Sequence, residues 1–439
     1  MTEECETPCP SVALITVVDN SGVTRVKTVP VHRLPRVAEV GVGLSDVSAV
    51  MAVDDGITAS PGYDTPSGDM RLIPDLDAAV DLHRSRLRWV PATMVDQELV
   101  PKPNCGRSIL QRAVEAAAKA GITAEFAFES EFTVSDLETG EPIHRGPGYS
   151  PIALFAAEEF SIDLVEAFEA QGMNVEQFHP EYADGQFEVS IRHSDPVAAA
   201  DAVVLLRLTV HRMARRHGLR VSFSPRPHRE IVVGNGCHLH CSLWQDGTNL
   251  FGSETDGLGA AGGAAVAGIL DHLLGIQAVL TPSVPSFERI TPQHWAGAYT
   301  CWGIENREAA VRVIRGTVSG RPGAANIEIK TIDASANPYL TVAVILHAAL
   351  DGIGRGLTPP EPISVDPHSL DEDARTARGI VRLPADLDEA IEAMDADGLV
   401  RTVFGDQQYG AFRAVRRYEL ETFGSLPRED QIEAHRWRY

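Results

Sequence analysis

Gly234-Asn235-Gly236-Cys237-His238-Leu239-His240-Cys241-Ser242-Leu243-Trp244 is the stretch on which the fold turns. Read as a strand, it alternates between two faces: His238, His240 and Ser242 share one, while Cys237, Leu239, Cys241 and Leu243 take the other. Neighbours on one face stand about 6.6–7 Å apart. That spacing suits two groups serving adjacent parts of one ligand better than two ligands of one ion. Alternation also sends the thiols and imidazoles of Cys-His-x-His-Cys to opposite sides, so a closed zinc site would need a broken strand. Alone, the stretch reads as an amphipathic strand with a solvated polar face.

Three more segments repeat the pattern. In Ala124–Phe132, Phe126, Phe128 and Phe132 oppose Glu129 and Glu131. In Gly185–Ile191, Gln186, Glu188 and Ser190 share a side, with His179-Pro180-Glu181-Tyr182 just upstream. In Ala325–Thr331, Asn326, Glu328 and Lys330 fall together. Two readings stand. Either these faces meet solvent, or they converge inside a curved sheet backed by helices, where the carboxylates cannot all stay charged without cations. Oxygen-rich ligands with one imidazole favour Mg²⁺ or Mn²⁺. Arg289, Arg307 and Arg312 then offer contacts to phosphate or carboxylate.

The chain has 439 residues, 44% of them hydrophobic, enough for a large core and two domains. Its net charge of −23, from 61 acidic and 38 basic residues, repels phosphate backbones and so disfavours nucleic-acid and anionic-membrane partners. No apolar run reads as approaching the roughly 20 residues of a membrane span. The acidic start, Met1-Thr2-Glu3-Glu4, has no signal-peptide pattern. Six scattered cysteines suit reduced thiols in a cytoplasm.

Val12–Val18 and Val23–Val31 flank the turn residues Asp19-Asn20-Ser21-Gly22 and predict a hairpin. A short strand is expected near Trp89, and nothing before residue 103 has helical periodicity beyond a turn near Leu76–Leu82. Residues 1–103 therefore read as a small β-rich domain closed by Pro101-Lys102-Pro103-Asn104. In 104–439, helices are expected over 107–120, 151–171, 196–217, 261–280 and 338–353, with a charged helical stretch over 384–439. The Gly-Ala run Gly257–Gly268 lacks the Gly-Lys-Ser/Thr of a phosphate loop and reads as a tightly packed helix start.

In order along the chain, these motifs resemble those of the glutamine synthetase family, especially its γ-glutamylamine-ligase-like branches. They are Phe128-Glu129-Ser130-Glu131-Phe132; Glu181 with Gly185-Gln186-Phe187-Glu188; Gly234 through Leu243; Ser286-Phe287-Glu288-Arg289; Asn306-Arg307 to Arg312; and Glu328 with Asn337-Pro338-Tyr339-Leu340. Met70–Asp75 adds an N-terminal match. The resemblance implies an α+β protein, with an N-terminal β-grasp domain and a catalytic domain whose curved antiparallel sheet is backed by helices. It implies stacked hexameric rings, with active sites shared between subunits. It assigns Glu131, Glu181 and Glu188 to one divalent ion and Glu129, His238 and Glu328 to a second, in a site using ATP and two or three Mg²⁺ or Mn²⁺ ions. His240, Ser242 and Arg312 match nucleotide contacts; Arg289 and Gly234 match glutamate contacts. Arg307 and Arg312 match the arginines that neutralise the transferring phosphoryl group. The implied reaction phosphorylates the γ-carboxylate of glutamate, and an amine then displaces phosphate.

The departures from the family lie at the amine and glutamate ends. In Gly41–Ser48, Ser45 stands where ammonium-using members have an Asp, and Trp295 stands where they have a flap Glu. Val233 replaces an Asn, Asn326 an Arg, and Lys330 a catalytic-site Arg whose charge, but not fork geometry, it keeps. An ammonium site needs carboxylates to bind NH₄⁺ and take its proton; an indole offers an apolar face instead. The expected acceptor is therefore an organic primary amine, such as ethanolamine, a polyamine, or an alkyl or aromatic amine. The alternatives are an ordinary glutamine synthetase with another base and a non-catalytic member of the fold.

Overall fold

The computed structural model describes residues 9–63, 68–229, 233–252 and 258–439; the N-terminal segment 1–4 and Gly257, read above, lie outside them. Cys237–Gln245 forms a strand whose core face (Cys237, Leu239, Cys241, Leu243) is at most 2% exposed. It lies inside a nine-stranded sheet, whose main path runs Trp302–Ile304, Val311–Ile314, Asn326–Ile329, Cys237–Gln245, Ile122–Asp136, Gln186–Ile191 and Val175–Pro180. Leu219–Ser222 extends the pairing of Ile122–Asp136, and Thr248–Asn249 that of Cys237–Gln245. All these pairs are antiparallel except Trp302–Ile304 with Val311–Ile314, which is parallel. Phe126, Phe128, Phe132, Phe187 and Phe223 are buried on the apolar face.

Helices Gly106–Lys119, Pro196–Arg216, Ala260–Leu280 and Pro338–Arg355 contribute to the same core. Pro196–Arg216 starts as its sequence dictates: Asp195 Oδ1 accepts the N–H groups of Val197 and Ala198 at 3.1 Å, and Pro196 fills the first turn. Asn337 caps Pro338–Arg355 through Tyr339 N–H at 3.1 Å and Leu340 N–H at 3.3 Å. Its amide also donates to the carbonyls of Val18 and Asp19, both at 3.1 Å, tying the N-terminal hairpin to the helical layer.

A second sheet lies N-terminal to this one: Thr24–Pro30, Val12–Val18, Leu87–Val95, Asp69–Pro74 and Val42–Ser45, with Val80–Asp81 beside Leu87–Val95. Val12–Val18 and Leu87–Val95 run parallel, and the other pairs antiparallel. Leu34 and Val37 of the helix Leu34–Val40 pack against Ile15, Leu72 and Val90 of this sheet. That helix is missing from the sequence reading, because seven residues starting at a Leu-Pro pair carry too few turns to establish a period.

Three other expectations need correction. The helix expected over 151–171 is two, Pro151–Phe155 and Glu158–Ala170, broken at Ala157, whose backbone leaves the helical region. The stretch 384–439 is four, Leu387–Asp397, Leu399–Phe404, Asp406–Phe423 and Arg428–His435, divided at Gly398, Gly405 and Pro427; both glycines have positive φ. Ala260–Leu280 is 21 residues long and apolar enough to cross a bilayer, and 83% of its apolar window is buried inside the protein. It is apolar all round because it is enclosed all round.

Against it lies Pro338–Arg355, with no room for side chains at the crossing: a Cβ on Gly268 would stand 2.2 Å from the Ala348 carbonyl oxygen and 2.6 Å from Gly352 Cα. Gly268→Ala should therefore destabilise the protein by about 1–3 kcal/mol despite alanine's better helix propensity, as read by denaturant midpoint. One turn along from Gly268, His272 bridges two helices, with Nδ1 at 2.9 Å from Asp397 Oδ2 and Nε2 at 3.1 Å from Asp351 Oδ2. The Asp397 hydrogen bond, against some burial and with Asp351, raises its pKa above 6.5. The bridge's contribution is thus complete below pH 6.5 and is lost as pH climbs through the raised value. His272→Gln should lower the melting temperature more at pH 6 than at pH 9.

Candidate active site

Strand register brings the polar faces together. Cys237–Gln245 pairs with Ile122–Asp136 so that His238 lies opposite Glu129, and with Asn326–Ile329 so that His240 lies opposite Glu328. Glu131 lies opposite Glu188, Glu188 opposite His179, and Arg312 opposite Glu328. Directly opposed residues project to the same side of a sheet. Six strands thereby gather their charged groups in or beside one cavity of about 660 Å³, lined by Glu129, Glu131, Glu181, Glu188, His238 and Lys330 among others. Of the two readings left open by spacing, convergence is the one realised.

Within this cavity the groups are close. His238 Nδ1 is 2.9 Å from Glu129 Oε1 and 3.3 Å from Glu328 Oε1, and its Nε2 is 3.7 Å from Glu131 Oε1. Glu131 Oε2 accepts from Gln186 Nε2 at 2.8 Å and Gly236 N–H at 2.9 Å. A Cβ on Gly236 would lie 2.7 Å from His238 Nε2, and one on Gly234 2.0 Å from the Pro225 carbonyl oxygen. Gly234 is a steric requirement, because it meets backbone; at Gly236 the His238 and Glu131 side chains would have to move. His179 Nε2 is 3.2 Å from Glu181 Oε1 and 3.6 Å from Glu188 Oε1.

The opposite side is cationic. Lys330 Nζ donates to Glu328 Oε1 at 2.8 Å, and Arg312 donates to Glu328 Oε2 and Glu305 Oε2, both at 3.0 Å. Arg289, buried behind Gly234, donates to the carbonyls of Lys330 at 3.2 Å and Ile332 at 2.8 Å. Arg307 is exposed in the cavity lining. A second cavity of about 580 Å³ shares Glu129 and Gln177 with the first and is lined by His240, Ser242, Arg192 and Asn326. His240 Nδ1 lies 3.0 Å from Asn326 Oδ1, and Ser242 Oγ accepts from Trp244 Nε1 at 3.0 Å.

Electrostatics separate the carboxylates into two sets. Burial raises the pKa of Glu188 to about 10, reinforced by Glu129, Glu131 and Glu181. Burial raises Glu131 too, with His238 opposing. For Glu328, burial acts upward but Lys330, His238 and His240 outweigh it and hold the group at about 2. For Glu129, burial is likewise outweighed by the two histidines. The Glu131, Glu181 and Glu188 side is therefore short of positive charge, and its donors are oxygens with one imidazole beside them. That is the chemistry a hard divalent ion fits. Compact donor groups form at His179, Glu181 and Glu188, and at Glu129, His240 and Glu328.

Two placements differ from the sequence reading. Ser45 does not line the cavity of its own chain; it is exposed at the end of Val42–Ser45, where its Oγ accepts Val47 N–H at 3.4 Å. Arg312 lines the cavity of the carboxylates and is absent from the lining of the one holding His240 and Ser242. Five lining residues escaped selection: His179, Tyr149, Gln177, Tyr182 and His294. Tyr149 stacks on His179 with ring centres 6.0 Å apart, and Tyr182 meets the Trp295 ring edge-on at 5.6 Å. His179 had a signal, standing two residues before Glu181 in a β-rich stretch; Tyr149, in an irregular segment with φ of 59°, had none.

The sequence profile of the glutamine synthetase catalytic domain matches residues 103–435. The γ-glutamylpolyamine synthetase GlnA3 of Streptomyces coelicolor is 43% identical over 430 residues, spanning 96% of this chain and 92% of that protein. A glutamine synthetase of Thermus thermophilus is 33% identical over 385 residues, spanning 84% and 83%. Among solved structures, a glutamine synthase homolog superimposes with TM-score 0.88 at 31% identity, covering 98% of this chain and 99% of that one. A GmaS–ADP complex gives 0.84 at 27% identity, covering 97% and 96%.

Glu188 supplies a check on the cation requirement. Its raised pKa makes it a liability without metal, because above its ordinary 4.5 and up to about 10 the folded protein must hold a proton that the unfolded chain releases. Glu188→Gln should leave the metal-free protein at pH 7 as stable as the parent or more so. The same change should weaken Mg²⁺-induced stabilisation at least about tenfold in apparent affinity. Thermal melts across a Mg²⁺ titration read both.

Proposed function

This chain belongs to the glutamine synthetase family, and we propose that it joins the γ-carboxylate of glutamate to an organic polyamine in an ATP-dependent reaction. One observation carries the choice of acceptor: the cavity beside Glu181 is walled by Trp295, Tyr182 and Tyr149, where an ammonium site would need carboxylates. Aromatic faces beside an acid attract an alkylammonium through cation–π contact and bury its methylenes. Beyond Tyr182 and Val233, which border both spaces, a further cavity of about 510 Å³ has Glu141 and Asp184 in its wall together with Arg145, Arg229 and Arg436, and Arg145 pairs with Glu141 at 2.6 Å; the choice of acceptor rests on the aromatic wall and not on this space. The polyamine specificity of the Streptomyces relative's name supports the same class.

The roles are those the family resemblance implies, and the placement of the side chains supports them. His240 and Ser242 contact the nucleotide in the adjoining cavity. Arg289 and Gly234 hold glutamate, with the Arg289 guanidinium facing its α-carboxylate. Glu131, Glu181 and Glu188 would hold one divalent ion, and Glu129, His238 and Glu328 another. When bound, such ions spread positive charge over the transferring phosphoryl oxygens. Arg307 and Arg312 add charge from the protein, Arg312 by exchanging its Glu328 and Glu305 contacts for phosphate oxygens. Lys330 stays with Glu328 and fixes its orientation. The γ-phosphoryl group of ATP passes to the γ-carboxylate, giving ADP and an acyl phosphate. The amine nitrogen then attacks the acyl carbon, phosphate leaves with the C–O electron pair, and the nitrogen loses a proton to a neighbouring carboxylate.

The working form we assign is a homo-oligomeric ring, in the stacked arrangement of the family. Ser45 reaches a cavity only from a second copy, beside the amine position. A cytoplasmic setting fits the reduced thiols: the five described cysteines are free.

Phosphate release with ATP, Mg²⁺ and glutamate, screened over ammonium and amines, tests this reading. A di- or polyamine should exceed ammonium in kcat/KM by at least about tenfold. Trp295→Glu should narrow that gap by raising ammonium turnover. Equal turnover of ammonium and the best amine would remove the aromatic-wall argument.

A further inference from the structure

The loop that carries Trp295 is held in an unusual conformation. Gln293, Trp295 and Gly297 have φ of 65°, 54° and 70°. A glycine adopts this region freely; a glutamine and a tryptophan do so only where their surroundings over-determine them. Gly297 lies hard against the segment before Val311–Ile314, for a Cβ there would stand 2.7 Å from Ala310 Cα.

On that segment sits Glu308. Its Oε1 accepts the backbone N–H of Trp295 at 3.0 Å, and the nearby amides of Trp295 and Gln293 favour its ionised form against burial. Glu308 thus ties down the amide of the strained Trp295. Glu308 is itself anchored: its N–H donates to Asn306 Oδ1 at 3.0 Å, and Asn306 Nδ2 donates to the carbonyls of Ile363 at 2.7 Å and Val365 at 3.0 Å. Gln293 Nε2 reaches Asp366 Oδ2 at 3.3 Å. An unbroken run of hydrogen bonds therefore leads from residues 363–366 to the loop, and the loop delivers a 44%-exposed indole to the edge of Tyr182.

We propose that Glu308 is a positioning residue for the acceptor amine: by clasping the Trp295 amide it fixes the indole against Tyr182 and so sets the preference for an organic amine over ammonium. The inference rests on the acceptor reading given above. Glu308 touches no substrate; its carboxylate is turned to the loop backbone, and burial raises its pKa as expected of an acid tucked beneath a loop.

Glu308→Ala, Glu308→Gln and Trp295→Phe test it. In Glu308→Ala the KM for the best organic amine should rise about tenfold, with KM for glutamate and ATP unchanged, as expected of a misplaced contact. Glu308→Gln keeps an acceptor oxygen and should stay within about threefold of the parent. In a Trp295→Phe background Glu308→Ala should add less to the amine KM than it does alone, the two changes acting on one contact. A second readout needs no turnover: the fluorescence of Trp295, taken as the difference between the parent and Trp295→Phe, should shift to the red in Glu308→Ala and not in Glu308→Gln. An unchanged amine KM, or an equal rise for glutamate and ATP, overturns the positioning role; so does an absent red shift. A parent enzyme that turns over no organic amine instead overturns the acceptor reading, and the fluorescence comparison still decides the clasp.

Discussion

Glu131 and Glu188 stand opposite each other on adjacent antiparallel strands, an arrangement that like charges destabilise in an ordinary sheet. Glu181 and Glu129 add to the repulsion, and burial forbids dilution by water. The protein keeps the arrangement with the Gln186 amide and the Gly236 N–H on Glu131, and with His179, whose pKa the Glu181 hydrogen bond raises, beside Glu181 and Glu188. The two amide contacts orient Glu131 without neutralising it. A constellation so built is strained while empty of cations and relieved by binding them, so folding stability and ion affinity are linked through the same residues.

Across the cavity the balance reverses. Glu328 is held ionised between Lys330 and Arg312, with His238 on its shared oxygen. A carboxylate already bracketed by two cations has less to gain from an ion than Glu188 does. The two donor sets are therefore unequal, and the order of ion uptake should follow charge deficit, with the Glu131, Glu181 and Glu188 side first. The same bracket holds Arg312 at the cavity wall with both terminal nitrogens on carboxylates, so its charge turns to a phosphoryl group only by exchanging those contacts.

Period-two alternation made the faces legible: each side of Cys237–Gln245 and Ile122–Asp136 could be assigned from residue order alone. Register could not be read that way, since pairing His240 with Glu328 joins residues 88 positions apart through tertiary packing. The motif resemblance supplied the convergence that spacing left open. What escaped had weak local signals: Tyr149 in an irregular segment, and the seven-residue helix Leu34–Val40. Gly398 and Gly405 were legible breakers, yet the charged C-terminal stretch overshadowed them. Ser45 is a different case. Its position in sequence pointed to the amine, but one chain's fold keeps it out of its own cavity, and no local signal says which copy a residue serves.

The substitutions of Ser45, Trp295 and Val233 gather at the amine and glutamate ends, while the six assigned ion ligands all remain. Physical separation in the cavity makes this partition workable. The ion donors are fixed by strand register, where a change of one residue turns a whole strand over. Trp295 instead hangs from a loop whose shape is set by Glu308 and the segment behind it, so acceptor geometry can drift without moving a single carboxylate. Retention of the ion donors follows from their shared scaffold, and diversity of the acceptor from the independence of one loop. A non-catalytic member of the fold would be free to lose the costly opposition of Glu131 and Glu188, and this chain keeps it.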